Sequence, residues 1–271
     1  MLVVAYSKTP AALKHRGQPG VYLPAGRQAC KVKCQTTQLP IRAETLVFIK
    51  ETKKTDSNKK DFIPALGYDW LTGMYDLIIK VTMPETKFRN RLISEVNPQN
   101  DEKILEFGFG TGQNLIIGKQ KYPKSKFSGL DIDPKVKIIT ERKLEKVKLN
   151  IPLFLYDGGK FPFKNDKFDK VYSSLVFHQL DTKTKKDCLK EIHRVLKPNG
   201  ILIIGDWGKP KSKFRRFLFY AVQILDGFKT TQENIEGLLP KYMSECEFEN
   251  VKETAYINTK IGTYCYYVGT K

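Results

Sequence analysis

Acidic residues are missing before Glu44, and cysteine, histidine and tryptophan are scarce throughout, with five, three and two copies in 271 residues. The cysteines, Cys30, Cys34, Cys188, Cys246 and Cys265, are scattered and odd in number, which excludes the paired framework of a disulfide-stapled secreted domain. A reducing, cytoplasmic setting is the expectation. Cys30 and Cys34 have no second Cys/His pair to complete a metal site, so none is expected. No apolar run approaches the ~18 residues that a membrane span requires. Leu2-Val3-Val4-Ala5 is too short for the apolar region of a secretory signal.

What is abundant is positive charge. The formal net charge is +18, and residues 1–61 hold twelve Lys/Arg against four acids. Pro10, Gly17, Pro19, Gly20, Pro24, Gly26 and Pro40 interrupt that stretch, and no pattern in it would bury a face. Residues 1–61 therefore read as a largely disordered basic extension, dispensable for chemistry. The acid-poor, basic composition also imitates an organelle transit peptide, although no amphipathic helix stands out, and an extension from a misassigned start codon would look the same. The remaining excess is mostly lysine spread along predicted helices, which marks a solvated face more readily than a nucleic-acid footprint.

From Phe62 the composition changes. Residues 62–100 carry helical patterns, one from Gly67 to Ile79 with Trp70 and Tyr75, and another over Phe88 to Ile93. They read as a helical cap. Residues 101–271 then alternate short apolar runs with amphipathic stretches, the order expected of an α/β sheet covered on both faces. No internal repeat interrupts the alternation.

The organising stretch is Lys103-Ile104-Leu105-Glu106-Phe107-Gly108-Phe109-Gly110-Thr111-Gly112-Gln113. An apolar run ends in a carboxylate, and three glycines at alternate positions precede a helical pattern. This is the strand, tight loop and helix start on which a nucleotide-like ligand meets backbone N–H groups. Gln113 stands where a dinucleotide binder would place its third glycine or alanine, and no Gly-Lys-Ser/Thr follows. Downstream, Asp131 closes the predicted strand Lys126–Asp131, nineteen residues beyond Gly112, where a carboxylate can accept both hydrogen bonds of a ribose diol. Asp133 before Pro134 starts the next helix as an N-cap, running through Leu149. A third strand, Leu153 to Tyr156, ends at Asp157-Gly158-Gly159.

The E-x-G-x-G-x-G loop resembles motif I of class I S-adenosylmethionine-dependent methyltransferases. Asp157 with Pro162, Phe168-Asp169 through Ser173 to His178, and Leu196-Lys197-Pro198 with Gly200 resemble, in order, motifs of the UbiE-like, type 11 group of those enzymes. The resemblance covers about residues 66–271. It implies a Rossmann-like seven-stranded sheet, six strands parallel and one antiparallel, with helices on both faces and an N-terminal helical cap. It implies S-adenosylmethionine as cofactor, with Gly108, Gly110 and Gly112 making room for it and Glu106 anchoring the loop through the methionyl amine. Asp131 and Ile132 would hold the ribose side, Asp157 and Gly158 the adenine, and Ser174 would complete the lining. Tyr75, Asp206 and Trp207 would line the substrate pocket.

His178 lies at the predicted end of strand four, facing the loop, and is the candidate general base. A pocket-lining or loop-orienting role for it stays open. After Asp206-Trp207, a basic run from Lys209 to Arg216 feeds an apolar helix from Phe217 to Leu225, read as a lid, a dimer helix or a peripheral membrane contact. A helix from Asn234 to Glu245 and strands at Glu247–Asn258 and Thr263–Thr270 close the chain.

Strand four is followed by Ser173-Ser174-Leu175-Val176, without the proline pair of nucleic-acid amino methyltransferases. A small-molecule or lipid-like acceptor is therefore expected over RNA. An RNA-directed enzyme and a cofactor-binding module without turnover remain the alternatives, and the oligomeric state is left open.

Overall fold

The computed structural model describes residues 83–271. The expected extension, Cys30, Cys34, Trp70, Tyr75 and most of the expected cap lie outside the described residues.

Among the described residues one helix comes before the sheet: α1 is Glu85–Val96. The sheet then forms from β1 (Lys103–Phe107), β2 (Lys126–Asp131), β3 (Leu153–Leu155), β4 (Phe168–Ser174), β5 (Leu196–Trp207), β6 (Glu249–Asn258) and β7 (Thr263–Thr270). Its spatial order is β3-β2-β1-β4-β5-β7-β6. β1 to β5 are parallel, β7 runs antiparallel to β5, and β6 antiparallel to β7, so β7 alone is reversed. This is the expected Rossmann-like arrangement. The chain order reverses between β1 and β4, where such sheets open a crevice beyond their carboxyl ends.

The helices between strands are α2 (Gln113–Lys121), α3 (Pro134–Lys146), α4 (Thr182–Val195), α5 (Lys213–Leu218), α6 (Tyr220–Asp226), α7 (Phe228–Glu236) and α8 (Leu239–Glu245). The two-residue alternation of strands decides which layer each side chain joins. Ile104, Tyr172, Ile203, Tyr264 and Tyr266 pack with Phe88, Leu92 and Leu115 on one face. Leu105, Phe107, Val171, Leu202, Ile204 and Tyr267 pack with Leu189, Ile192 and Met243 on the other. Each fully buried aliphatic side chain contributes about 1.5–3 kcal/mol, so two buried faces explain why β5 reads as one continuous apolar run.

Several boundaries differ from the sequence pattern, each for a local reason. Asp133 caps α3 by accepting from the Lys135 amide at 2.8 Å, as expected. That helix stops at Lys146 rather than Leu149, with Lys148 in the left-handed region at φ 56°. β5 starts at Leu196, not Ile201: Leu196 pairs with Phe168, and the register shifts before Lys170 resumes it with Ile201. The expected helix Asn234–Glu245 is two helices, because Gly237 turns left-handed at φ 77° and Pro240 opens the next. The apolar stretch after Arg216 is likewise split between α5 and α6 at Phe219.

Candidate functional site

All three motif glycines adopt positive φ, 72°, 48° and 75° for Gly108, Gly110 and Gly112, a region that costs residues with a Cβ. Their surroundings differ. A Cβ at Gly108 would come within 2.3 Å of Val176 Cγ2, and one at Gly112 within 2.3 Å of Thr140 Cγ2, whereas one at Gly110 would meet nothing within 4 Å. The loop is therefore packed at both ends and open at its centre. Gly108 N donates to Leu130 O at 2.7 Å, and Thr140 Oγ1 to Gly110 O at 2.8 Å, so the open centre is held by the elements on either side.

Asp131 locks the loop to the tip of β2. Its Oδ2 accepts from Gly110 N at 2.9 Å, and its Oδ1 from Ile132 N at 2.7 Å and Asp133 N at 3.1 Å. Burial raises the carboxyl pKa above the usual range, against the lowering effect of those three amides. At the tip of β3, Asp157 is exposed and accepts from Gly159 N at 3.0 Å. Gly158, at φ 86°, lies beside Ile132: a Cβ there would stand 3.4 Å from Ile132 Cδ1. Gly110, Asp131, Ile132, Asp157 and Gly158 thus gather on one side of the carboxyl ends of β1, β2 and β3. An open cradle flanked by a buried carboxylate, an exposed carboxylate and a glycine backbone fits a ribose-bearing adenine nucleoside.

Glu106, in contrast, is wholly buried beneath the loop. Its carboxyl accepts from Asn114 Nδ2 at 2.8 Å and Tyr172 OH at 3.1 Å, and Arg89 Nη1 donates to Asn114 Oδ1 at 2.9 Å. Burial pushes the Glu106 carboxyl up to about 8, although Asn114, Tyr172 and the Arg89 charge all pull it down. The sequence reading missed Asn114, Tyr172 and Arg89. The signal for them was indirect: a carboxylate on a strand covered on both faces must have partners.

A second cluster lies beyond β4 and β5, joined to the first where Val176 packs on Gly108. After Ser174 the chain turns through Leu175, left-handed at φ 57°, into a short 3-10 helix, Phe177–Gln179. His178 sits in that turn rather than at a strand end, and it is buried. Its Nδ1 is 2.6 Å from Asp206 Oδ1, and its amide donates to Asp206 Oδ2 at 3.2 Å. Trp207 N also donates to Asp206 Oδ1 at 2.7 Å. The expected substrate-facing Asp206 is thus fully buried and holds His178. Trp207 is buried too, its ring 5.3 Å from Phe219 and 6.4 Å from Tyr264. Ser174 Oγ shares a hydrogen bond with Tyr264 OH at 2.9 Å. α7 closes over this end, Asn234 Nδ2 donating to Trp207 O at 3.1 Å.

Residues 104–200 match a family model described as a methyltransferase domain. Over 148 residues the chain is 28% identical to the demethylmenaquinone methyltransferase of Thermotoga maritima, covering 54% of this chain and 62% of that relative. It is 28% identical over 238 residues to the ubiquinone/menaquinone biosynthesis C-methyltransferase UbiE of Wigglesworthia glossinidia brevipalpis, covering 79% and 91%. Several matches, the Thermotoga one among them, span less than two thirds of the relative's length. Among solved structures, the Haemonchus contortus phosphoethanolamine N-methyltransferase 2 shares the fold, with TM-score 0.57 and 13% identity over 76% of this chain and 57% of that one.

Proposed function

We propose that this chain, which carries a class I S-adenosylmethionine-dependent methyltransferase domain related to the UbiE-like group, transfers a methyl group to a small-molecule or lipid-like acceptor. The observation that carries the reading is the open, left-handed Gly110 held against the Asp131 strand tip, with Asp157 beyond the next strand of the sheet. When bound, S-adenosylmethionine supplies a methyl group made electrophilic by its sulfonium. The chain's own part is to bind, orient and keep water out.

In this reading Gly108, Gly110 and Gly112 let the main chain approach the cofactor. Asp131, with Ile132 beside it, accepts from the ribose hydroxyls, and Asp157 and Gly158 meet the adenine edge. Ser174 lines the reacting end. Glu106 acts from beneath the loop, by fixing Asn114 at the first turn of α2. His178, oriented by Asp206, takes the acceptor's proton; Trp207 shapes that end of the pocket. The names of the relatives, demethylmenaquinone and ubiquinone/menaquinone methyltransferases, favour a lipid-like acceptor with an acidic carbon or oxygen.

Residues 62–100 complete the cap, residues 1–61 are dispensable for the chemistry, and the setting is reducing and cytoplasmic. Cys188, Cys246 and Cys265 are buried thiols outside any disulfide, consistent with that setting. Among the described residues no helix is long and apolar enough to cross a membrane.

The test is calorimetric titration with adenosylhomocysteine, then incubation with methyl-labelled S-adenosylmethionine and separate small-molecule, lipid and RNA pools. Saturable binding and label in the small-molecule or lipid pool are expected. No binding sinks the cofactor assignment; label confined to RNA overturns the acceptor class.

A further inference from the structure

Between Trp207 and Leu225 there is no carboxylate, while Lys209, Lys211, Lys213, Arg215 and Arg216 crowd the first half. The same segment, α5 and α6, leads to the start of α7 and leaves large apolar side chains in solvent. Phe214 is 65% exposed, Phe217 69%, Tyr220 43%, Ile224 73% and Phe228 51%. They recur at every third or fourth residue, so one side of the helical run presents them together. Three of them form one contiguous patch: the Phe217 and Tyr220 rings are 6.5 Å apart, and those of Tyr220 and Phe228 6.3 Å. A contiguous exposed apolar patch of this kind needs an occupant.

The cations decide which. Lys211 is paired with Glu253, and Arg216 lies over the Tyr220 ring at 4.3 Å, but no carboxylate among the described residues pairs with Lys209, Lys213 or Lys229 around the stripe. A second copy of a chain of net charge +18 would bring the same cations to the contact. An anionic lipid surface instead offers hydrocarbon for Phe214, Phe217, Ile224 and Phe228 and headgroup charge for the lysines. The position of the patch has a consequence as well. Phe219, between α5 and α6, packs its ring 5.3 Å from Trp207, the residue after Asp206.

We propose that α5, α6 and the start of α7 form an interfacial surface that lies on anionic bilayers beside the acceptor end of the site. The proposal rests on the lipid-like acceptor of the preceding reading: an acceptor dissolved in the bilayer would reach the His178 end without crossing bulk water.

The full chain is tested by co-sedimentation with vesicles of phosphatidylcholine containing about a quarter phosphatidylglycerol, and with phosphatidylcholine alone. Partition onto the anionic vesicles, weakened by added salt, is expected. The triple variant Phe214→Ser, Phe217→Ser, Ile224→Ser should partition at least about tenfold less, while its adenosylhomocysteine affinity, measured on the same preparation, stays that of the parent. The retained affinity shows that the variant is folded, and it separates this test from that of the methyl-transfer reading. Three outcomes overturn the proposal: no partition of the parent chain, equal partition of the variant through the basic N-terminal residues, or a parent dimer in sedimentation that the triple variant dissociates.

Discussion

Asp131 Oδ2 accepts the Gly110 amide at 2.9 Å, tying the centre of the glycine loop to a residue twenty-one positions along the chain. With Ile132 N and Asp133 N on Oδ1, one carboxylate serves three backbone donors and keeps about one lone pair, on Oδ2, for a further donor. An asparagine has one carbonyl for those donors, and its amide would face the Gly110 N–H. Asp131→Asn should therefore lower both melting temperature and adenosylhomocysteine affinity, the affinity by at least about tenfold. Exposed Asp157 accepts from Gly159 N at 3.0 Å without the burial of Asp131, so Asp157→Asn should weaken binding with the melting temperature unchanged. Equal melting losses for the two variants would show that Asp131 has no special hold on the loop.

Gly108 and Gly110 share a backbone conformation but not a neighbourhood, and alanine should separate their roles. At Gly108 the new methyl would overlap Val176, at a cost of about 2–4 kcal/mol that Val176→Ala should partly relieve in the double variant. At Gly110 only the left-handed φ is penalised, by about 1 kcal/mol, because the methyl enters open space. Gly110→Ala should fold and lose cofactor affinity. A Gly110→Ala protein that binds adenosylhomocysteine like its parent would empty the cradle of its meaning.

These contrasts also mark what the sequence could and could not disclose. The alternate glycines, the Asp133-Pro134 cap and the doubly covered run of β5 are local signals, and the seven-stranded sheet was legible through the family resemblance that such motifs carry. The partner of His178 was not local. Asp206 lies twenty-eight residues away, and only the parallel pairing of β4 with β5 brings the two together. Nor did spacing separate a strand end from a 3-10 turn, since the difference is made by Leu175 entering the left-handed region where its amide reaches Gly205 O at 3.0 Å. Glu106 looked like a ligand-facing acid because motif position says nothing of depth.

Depth gives Glu106 a measurable signature. Its carboxyl is raised from an ordinary 4.5 to about 8, so the folded state holds a proton that the unfolded state releases over that interval. The stabilisation is complete below pH 4.5, declines as pH rises, and is gone above about 8. Asp131, also raised, adds a decline of the same sign. His193, lowered by burial, opposes it near its ordinary 6.5. The difference curve between parent and Glu106→Gln isolates the glutamate: the variant should lose less stability than its parent between about pH 5 and pH 8. Gln keeps an acceptor for Asn114, and the Tyr172 hydroxyl can turn to accept. Parallel stability curves would mean that Glu106 is charged in the folded protein throughout.

Lys185 is fully buried between α4 and α7, its Nζ 2.7 Å from Glu233 Oε2 and donating to Thr230 O at 2.9 Å. Glu233→Gln leaves that ammonium with neutral partners only and should cost roughly 3 kcal/mol. Lys185→Met, which removes the charge and keeps the volume, should cost less in a chemical denaturation series. If the methionine variant is the weaker of the two, the pair contributes net stability rather than merely fixing where α7 sits.

The base proposed for methyl transfer can be judged against the structural alternative, because the two roles of His178 act on different measurements. Asp206 holds Nδ1 at 2.6 Å and also anchors the His178 and Trp207 amides, so the dyad both orients a ring and stitches the tips of β4 and β5. A proton acceptor affects only turnover. His178→Gln should then lower kcat by about 10²–10⁴ and leave adenosylhomocysteine affinity within about twofold, since the Gly110 cradle is built from other strands. Asp206→Asn keeps the shape and an acceptor for one amide, but it removes the charge beside the ring. It should lower kcat with an accompanying fall in melting temperature, because a fully buried carboxylate with three hydrogen-bonded contacts is exchanged for an amide that cannot serve them all. Were His178→Gln to lose melting temperature and cofactor affinity together, with kcat at saturation close to the parent's, the histidine would be a strut between two strand tips, and methyl transfer would proceed by positioning alone.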